Sequence, residues 1–300
     1  MSKRKASQHA VNRLRGAFPC LSVVYRAGGS HALMVASGFL FEEDGTLLWI
    51  TAGHVLHDIR ALQEKGLLVQ MTWQDGGRGS IPASQSLLNQ FAIDKDGLDL
   101  AIAPLGALEA ENLRKGPHFQ AFTFEDCLTR EEIDRLFEKR KRGASEIVIL
   151  GYPQEWASYE EFPVSHTQVR FITRVERVQV PILRPTTREK MDRKGVSTPV
   201  DFWSPHCFYG VISGSRAPRG KPLYSIEGLS GGPVVMHLDG RTHVVGIQSK
   251  WLARARTVKV VAMDSVKYIF GKYRKLKAKQ LAALKRKAKS PTSKKRKSTR

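Results

Sequence analysis

Cysteine is scarce in this chain. Cys20, Cys127 and Cys207 are the only three in 300 residues. They are odd in number and widely spaced, which excludes a disulfide framework and a zinc knuckle. A reducing compartment is the natural home for such a sequence, and a cytoplasmic location is expected. No window reaches eighteen apolar residues, so no membrane span is expected, and the first twenty residues lack the apolar segment of a secretory signal. No motif asks for a cofactor. Acidic residues are absent from both ends. Residues 267–300 hold fifteen Lys/Arg and residues 1–15 hold five, without one Asp or Glu. The rest of the chain sets 29 bases against 28 acids, so the net charge of +21 belongs to the two ends.

What is present is enough for a sizeable core, with 41% hydrophobic residues. Short strand-like runs recur between turns: Cys20–Tyr25, His31–Phe41, Leu47–Thr51, Leu67–Trp73 and Leu98–Leu105. Thr129-Arg130-Glu131-Glu132 forms a capping box, and Ile133, Leu136 and Phe137 follow at helical spacing toward a stop at Gly143. Strands resume at Glu146–Leu150, and Val169–Val180 alternates unevenly. Phe208–Ile212, Pro233–Leu238, His243–Ser249 and Val258–Met263 follow. The stretch Arg184–Ser204 has no clean period and reads as a long surface loop. Asp264 or Ser265 can cap a last helix bearing Val266, Ile269, Phe270 and Tyr273. The pattern divides into a basic leader (1–16), an N-terminal β unit (17–125), a helical connection (126–145), a second β unit (146–264), a helix (265–284) and a basic, disordered tail (285–300).

Three stretches suggest chemistry. In Gly228-Leu229-Ser230-Gly231-Gly232-Pro233 a serine sits among glycines, a turn able to expose the hydroxyl and aim backbone N–H groups at one point. A tight hairpin with an incidental serine reads the same way. Thr51-Ala52-Gly53-His54 places a histidine after a strand, where a satisfied loop residue is the plainer account. Leu98-Asp99-Leu100-Ala101-Ile102 sets a carboxylate among apolar residues, which is costly unless it has a partner. The order His54, Asp99, Ser230 is that of one of the three serine-hydrolase arrangements. His54 and His57 lie three apart but lack the further ligands of a metal site. Cys207 beside His206 fits core or loop packing better than thiol chemistry.

With these motifs the chain resembles the trypsin-like (chymotrypsin-fold) serine proteases, in the form without disulfides. Ser37-Gly38-Phe39, Gly151-Tyr152-Pro153 and Val245-Gly246-Ile247-Gln248-Ser249 add to the likeness, which covers about Ala17 to Phe270. The resemblance implies an all-β fold of two six-stranded antiparallel barrels, with a helical insertion between them and a C-terminal helix. It implies a catalytic set of His54, Asp99 and Ser230, an oxyanion hole from the Gly228 and Ser230 amides, and a serine endopeptidase acting on protein or peptide substrates. Ser249 matches the residue that supports the aspartate and whose strand pairs with substrate. Tyr224 falls at the base of the specificity pocket, where an acid would favour cleavage after Lys or Arg, and Glu227 lies nearby. Val55 stands where secreted relatives carry cysteine. Leu229 stands where they carry the aspartate of the zymogen switch, so activation by that ion pair is not expected. The alternative is an inactive, binding member of the fold, with residues 272–300 making non-specific contact with nucleic acid.

Overall fold

The computed structural model describes residues 17–74, 80–84, 87–88, 92–93, 98–116, 119–139, 147–165, 169–199, 202–212, 224–238, 241–271, 274–275 and 278. The basic leader, Gly143, Tyr273 and the basic tail lie outside them.

The first half contains strands β1 (Cys20–Ala27), β2 (Ser30–Ala36), β3 (Phe39–Glu43), β4 (Thr46–Ala52), β5 (Leu68–Gln74), β6 (Ser80–Pro82), β7 (Ala92–Ile93) and β8 (Leu100–Pro104), with helices α1 (Gly53–Glu64) and α2 (Ala107–Arg114). They form two four-stranded antiparallel sheets, ordered β2-β1-β5-β6 and β3-β4-β8-β7. Among the described residues the expected six-stranded barrel does not close, because no ladder joins the two sheets. The stretch His31–Phe41, read as one strand, breaks at Ser37–Gly38 and hands the chain from one sheet to the other. The corner is tight, since a Cβ on Gly38 would collide with the Trp49 indole. Leu21, Val23, Leu40, Leu47, Trp49 and Trp73 belong to the core of this half, closed on one side by Val55, Leu56 and Ile59 of α1. Trp49 and Trp73 meet edge to face at 5.0 Å.

Strands β4 and β8 are apolar along both faces because both faces are covered. Leu47, Trp49, Ala101 and Ala103 pack inside the first half. Leu48, Ile50, Leu100 and Ile102, at the alternate positions, join the core shared with the second half.

The connecting helix α3 (Arg130–Lys139) begins where its capping box places it. The Thr129 N–H donates to Glu132 Oε2 at 2.7 Å and the Glu132 N–H to Thr129 Oγ1 at 3.3 Å. Asp264, far along the chain, accepts the Arg130 N–H at 2.7 Å.

The second half contains β9 (Ile147–Gly151), β10 (Ser158–Pro163), β11 (Val169–Arg174), β12 (Val178–Pro185), α4 (Arg188–Asp192), β13 (Cys207–Ile212), β14 (Pro233–Leu238), β15 (Arg241–Leu252) and β16 (Thr257–Ala262). Six of the strands close a barrel in the order β12-β13-β16-β15-β14-β9. Ile147, Ile149, Val180, Val234, Val245 and Val260 belong to one core cluster of it. The uneven stretch Val169–Val180 resolves into two strands. The first pairs with β10 in a hairpin outside the barrel, fastened to the first half by Gln70 Nε2 on the Phe171 carbonyl and by the Tyr159 hydroxyl on the His31 carbonyl. The stretch Arg184–Ser204 is not wholly a surface loop: it contains α4 and buries Met191 and Phe202. The last helix, α5 (residues 263–271), starts at 263, so Asp264 and Ser265 lie in its first turn rather than at its cap. Its Phe270 ring packs against Phe41 and Phe124 at 5.4 and 5.3 Å, joining the two halves.

Candidate active site

The chain enters α1 directly from β4, and no local side chain caps the helix. Its first turn therefore exposes backbone N–H groups that need an acceptor. Asp99 supplies one, with Oδ1 accepting the His54 N–H at 2.8 Å. A carboxylate is also the favoured charge at the positive end of a helix. Two backbone features allow the approach. Asp99 stands just before β8 rather than inside it, at φ 58°, a left-handed conformation that aspartate tolerates better than most residues. Gly53 supplies the other: a Cβ there would stand 3.2 Å from Asp99 Oδ1.

The same carboxylate faces the His54 ring, with Nδ1 2.8 Å from Oδ2 and 3.0 Å from Oδ1. Ser249 Oγ donates to Oδ2 at 2.8 Å. With Nδ1 paired to a carboxylate, the ring holds its proton there and leaves Nε2 with a lone pair. Burial works against charging both groups, but each outweighs it for the other. Hydrogen bonding and charge attraction from Asp99 raise the His54 pKa above 6.5. His54, together with Ser249, holds the Asp99 carboxyl below its ordinary value.

Ser230 lies in the turn that leads into β14. Gly228 and Gly231 both have φ of +88°, which side chains rarely adopt. Gly231 is also pressed against the first half, since a Cβ there would collide with Thr51 Oγ1 and the Ser37 carbonyl and come within 2.7 Å of the Ala52 nitrogen. The turn thus sits on the strand end that leads to His54. Ser37 fastens it from the same side, donating its hydroxyl to the Gly228 carbonyl at 2.5 Å while accepting the Tyr152 N–H at 2.9 Å. From the barrel, Gln248 accepts the Gly231 N–H at 2.7 Å and donates to the Gly232 carbonyl at 2.9 Å.

The amides of this turn divide into two groups. Those of Leu229, Gly231 and Gly232 donate to the carbonyls of Ile226, Gln248 and Leu229. Those of Gly228 and Ser230 have no acceptor among the described residues. The Ser230 side chain is half-buried, and its hydroxyl lies 3.5 Å from the Ser249 carbonyl, too far for a strong hydrogen bond. It has no close partner competing for its proton.

The structure therefore brings His54, Asp99 and Ser249 into one hydrogen-bonded array and sets the Ser230 turn against the strand that carries His54. Tyr224 is different. The residue is 83% exposed, and its amide donates to Glu155. Glu227 is exposed, and its carbonyl accepts the Gln154 N–H. Leu229 is buried in a core cluster of the barrel. The Cys207 thiol is buried, which raises its pKa. Among the described residues no three His, Cys, Asp or Glu side chains gather as a metal site, and no helix is long and apolar enough to cross a membrane. Ser37, for which the sequence suggested only a matching position, proves to be a hydroxyl that fastens the Ser230 turn to the first half. Its one local signal is a small polar residue beside a glycine that breaks a strand.

No protein-family profile matches the chain, and no curated protein matches it in sequence. Among solved structures it is similar to the crystal structure of the Rv3671c protease from M. tuberculosis in its active form. The match has 16% sequence identity and a TM-score of 0.45, over 91% of this chain and 87% of that one.

Proposed function

We propose that the protein is a serine endopeptidase with Ser230 as nucleophile. The observation that carries this reading is the division of amides in the Ser230 turn. The two N–H groups left without an acceptor, Gly228 and Ser230, flank the position where a carbonyl oxygen attacked by Ser230 gains negative charge. The turn rests against the strand end that leads to His54, whose Nδ1 is committed to a carboxylate.

In this mechanism Ser230 Oγ adds to the scissile carbonyl as its proton passes to His54 Nε2. Asp99 steadies the resulting imidazolium, and the two free amides bind the oxyanion. Collapse of the tetrahedral adduct breaks the C–N bond, with His54 returning the proton to the leaving amine. A water molecule, activated by the same imidazole, then hydrolyses the Ser230 ester and restores the enzyme. The buried, apolar Leu229 supports an enzyme that needs no ion pair from a newly cut N-terminus. The three unpaired cysteines are consistent with a reducing compartment.

Incubation with a mixed peptide library, read by mass spectrometry, tests the activity. The wild type should cut internal peptide bonds and Ser230→Ala should cut none. Equal cleavage by both, or cleavage by neither, would overturn the proposal.

A further inference from the structure

Gln248 is completely buried on β15, yet neither its side-chain oxygen nor its side-chain nitrogen has a hydrogen-bond partner among the described residues. A buried carboxamide left with both its donors and its acceptor unpaired carries a desolvation cost that an aliphatic residue would avoid. Its backbone, in contrast, is fully used in holding the Ser230 turn. The placement of the side chain follows from a bulge in β15. Gln248 lies opposite Val260 and Lys250 opposite Lys259, leaving Ser249 as the extra residue. The bulge turns Ser249 toward Asp99. Gln248 instead shares the face of Val260, in whose cluster Ile226 and Leu229, from the segment leading to Ser230, are also packed.

We propose that Gln248 selects a substrate side chain flanking the scissile bond, and that this side chain is itself a carboxamide, glutamine or asparagine. The inference rests on the reading of Ser230 as nucleophile. The chemistry of the unpaired group makes the choice. A carboxamide offers a donor and an acceptor together and can satisfy both ends of Gln248. A carboxylate would pair with the Gln248 nitrogen but face its oxygen with like polarity. An ammonium would do the reverse. An aliphatic side chain would leave both ends unpaired, the situation in which buried hydrogen-bonding sites discriminate most sharply.

The test compares kcat/KM on peptides that differ only at the two residues flanking the cut, carrying Gln, Asn, Glu, Lys, Leu or Met. The wild type should favour Gln or Asn at one flanking position by at least tenfold over Glu, Lys, Leu and Met. In Gln248→Leu the ratio of Gln to Leu cleavage should fall below one. Gln248→Met, which keeps the length of the side chain without its donors and acceptor, should also lose the amide preference and serves if the leucine variant does not fold. A wild-type preference for a charged or aliphatic side chain, or an amide preference unchanged in both variants, would overturn the assignment while leaving Ser230 as nucleophile. Absence of any cleavage by the wild type would instead overturn the reading on which the assignment rests.

Discussion

The two halves of this molecule are held together by different means, and each contributes what its construction suits. The second half is a barrel closed by backbone ladders, so its strands have few options for moving apart. It carries Ser230, Ser249 and the free amides, groups whose value depends on fixed positions. The first half is a pair of sheets that no described ladder joins, held by side chains. Trp49 meets Trp73 between them, and Glu109 of α2 accepts from Trp73 Nε1 and the Ser84 N–H, both at 2.8 Å. It carries His54 and Asp99, whose relation is set by their own hydrogen bonds. At the Ser230 turn the halves meet through the Ser37 hydroxyl and through Gly231, which lies too close to the first half for any side chain on the glycine.

The largest break in this arrangement is electrostatic. Asp99→Asn should reduce kcat by about 10⁴, or about 5.5 kcal/mol in the barrier, because the amide favours the wrong imidazole tautomer. The pH profile gives the sign. Asp99 stabilises the charged imidazole, so His54 titrates above 6.5 and activity is lost as pH falls through that raised value. In Asp99→Asn, burial and the Lys250 charge favour the neutral ring against the weaker attraction of Asp58, and the acid limb of the residual activity should move to lower pH. An unmoved limb would show that Asp99 does not set the His54 charge.

Next comes the seam. Gly231→Ala combines a forbidden φ with collisions on backbone of the first half, and should cost about 3 kcal/mol or more. Urea denaturation reads this directly, and a loss under 1 kcal/mol would mean that the halves are not locked there. Within the first half, Glu109→Ala leaves the buried Trp73 Nε1–H without its acceptor and should cost about 2 kcal/mol. Hydrogen exchange should quicken in β5 while the amides of β9 and β14 keep their protection. Equal quickening in both would erase the distinction between the halves. The smallest effect belongs to Ser249→Ala, about 1 kcal/mol from one hydrogen bond. Asp99 is held below its unfolded pKa, so its contribution to stability is present at neutral pH and is lost as pH falls through the folded-state value. The variant should narrow that gap, making the loss of stability in acid less steep.

The same contrast between local and distant partners explains what the sequence made legible. Helix α3 could be read because its cap is three residues away, Thr129 with Glu132. Helix α1 could not, because its cap is Asp99, 45 residues further on, and a short apolar stretch after a strand gives no start signal of its own. The strand runs could be counted, but closure of a barrel depends on which edges meet. The corner at Gly38 becomes visible only once Trp49 is seen against it. The motifs holding His54, Asp99 and Ser230 stood out as unusual local chemistry. Ser37 and Gln248 did not, since a serine beside glycine and a glutamine in a strand acquire meaning only from what surrounds them.

The central claim is that Ser230 is an activated nucleophile, and covalent labelling tests it most directly. A fluorophosphonate probe should modify the wild type at Ser230, mapped by mass spectrometry, with a rate that rises with pH through the His54 titration. Ser230→Ala should remain unlabelled. Labelling at another serine, or no labelling of the folded wild type at any pH from 6 to 9, would contradict the account.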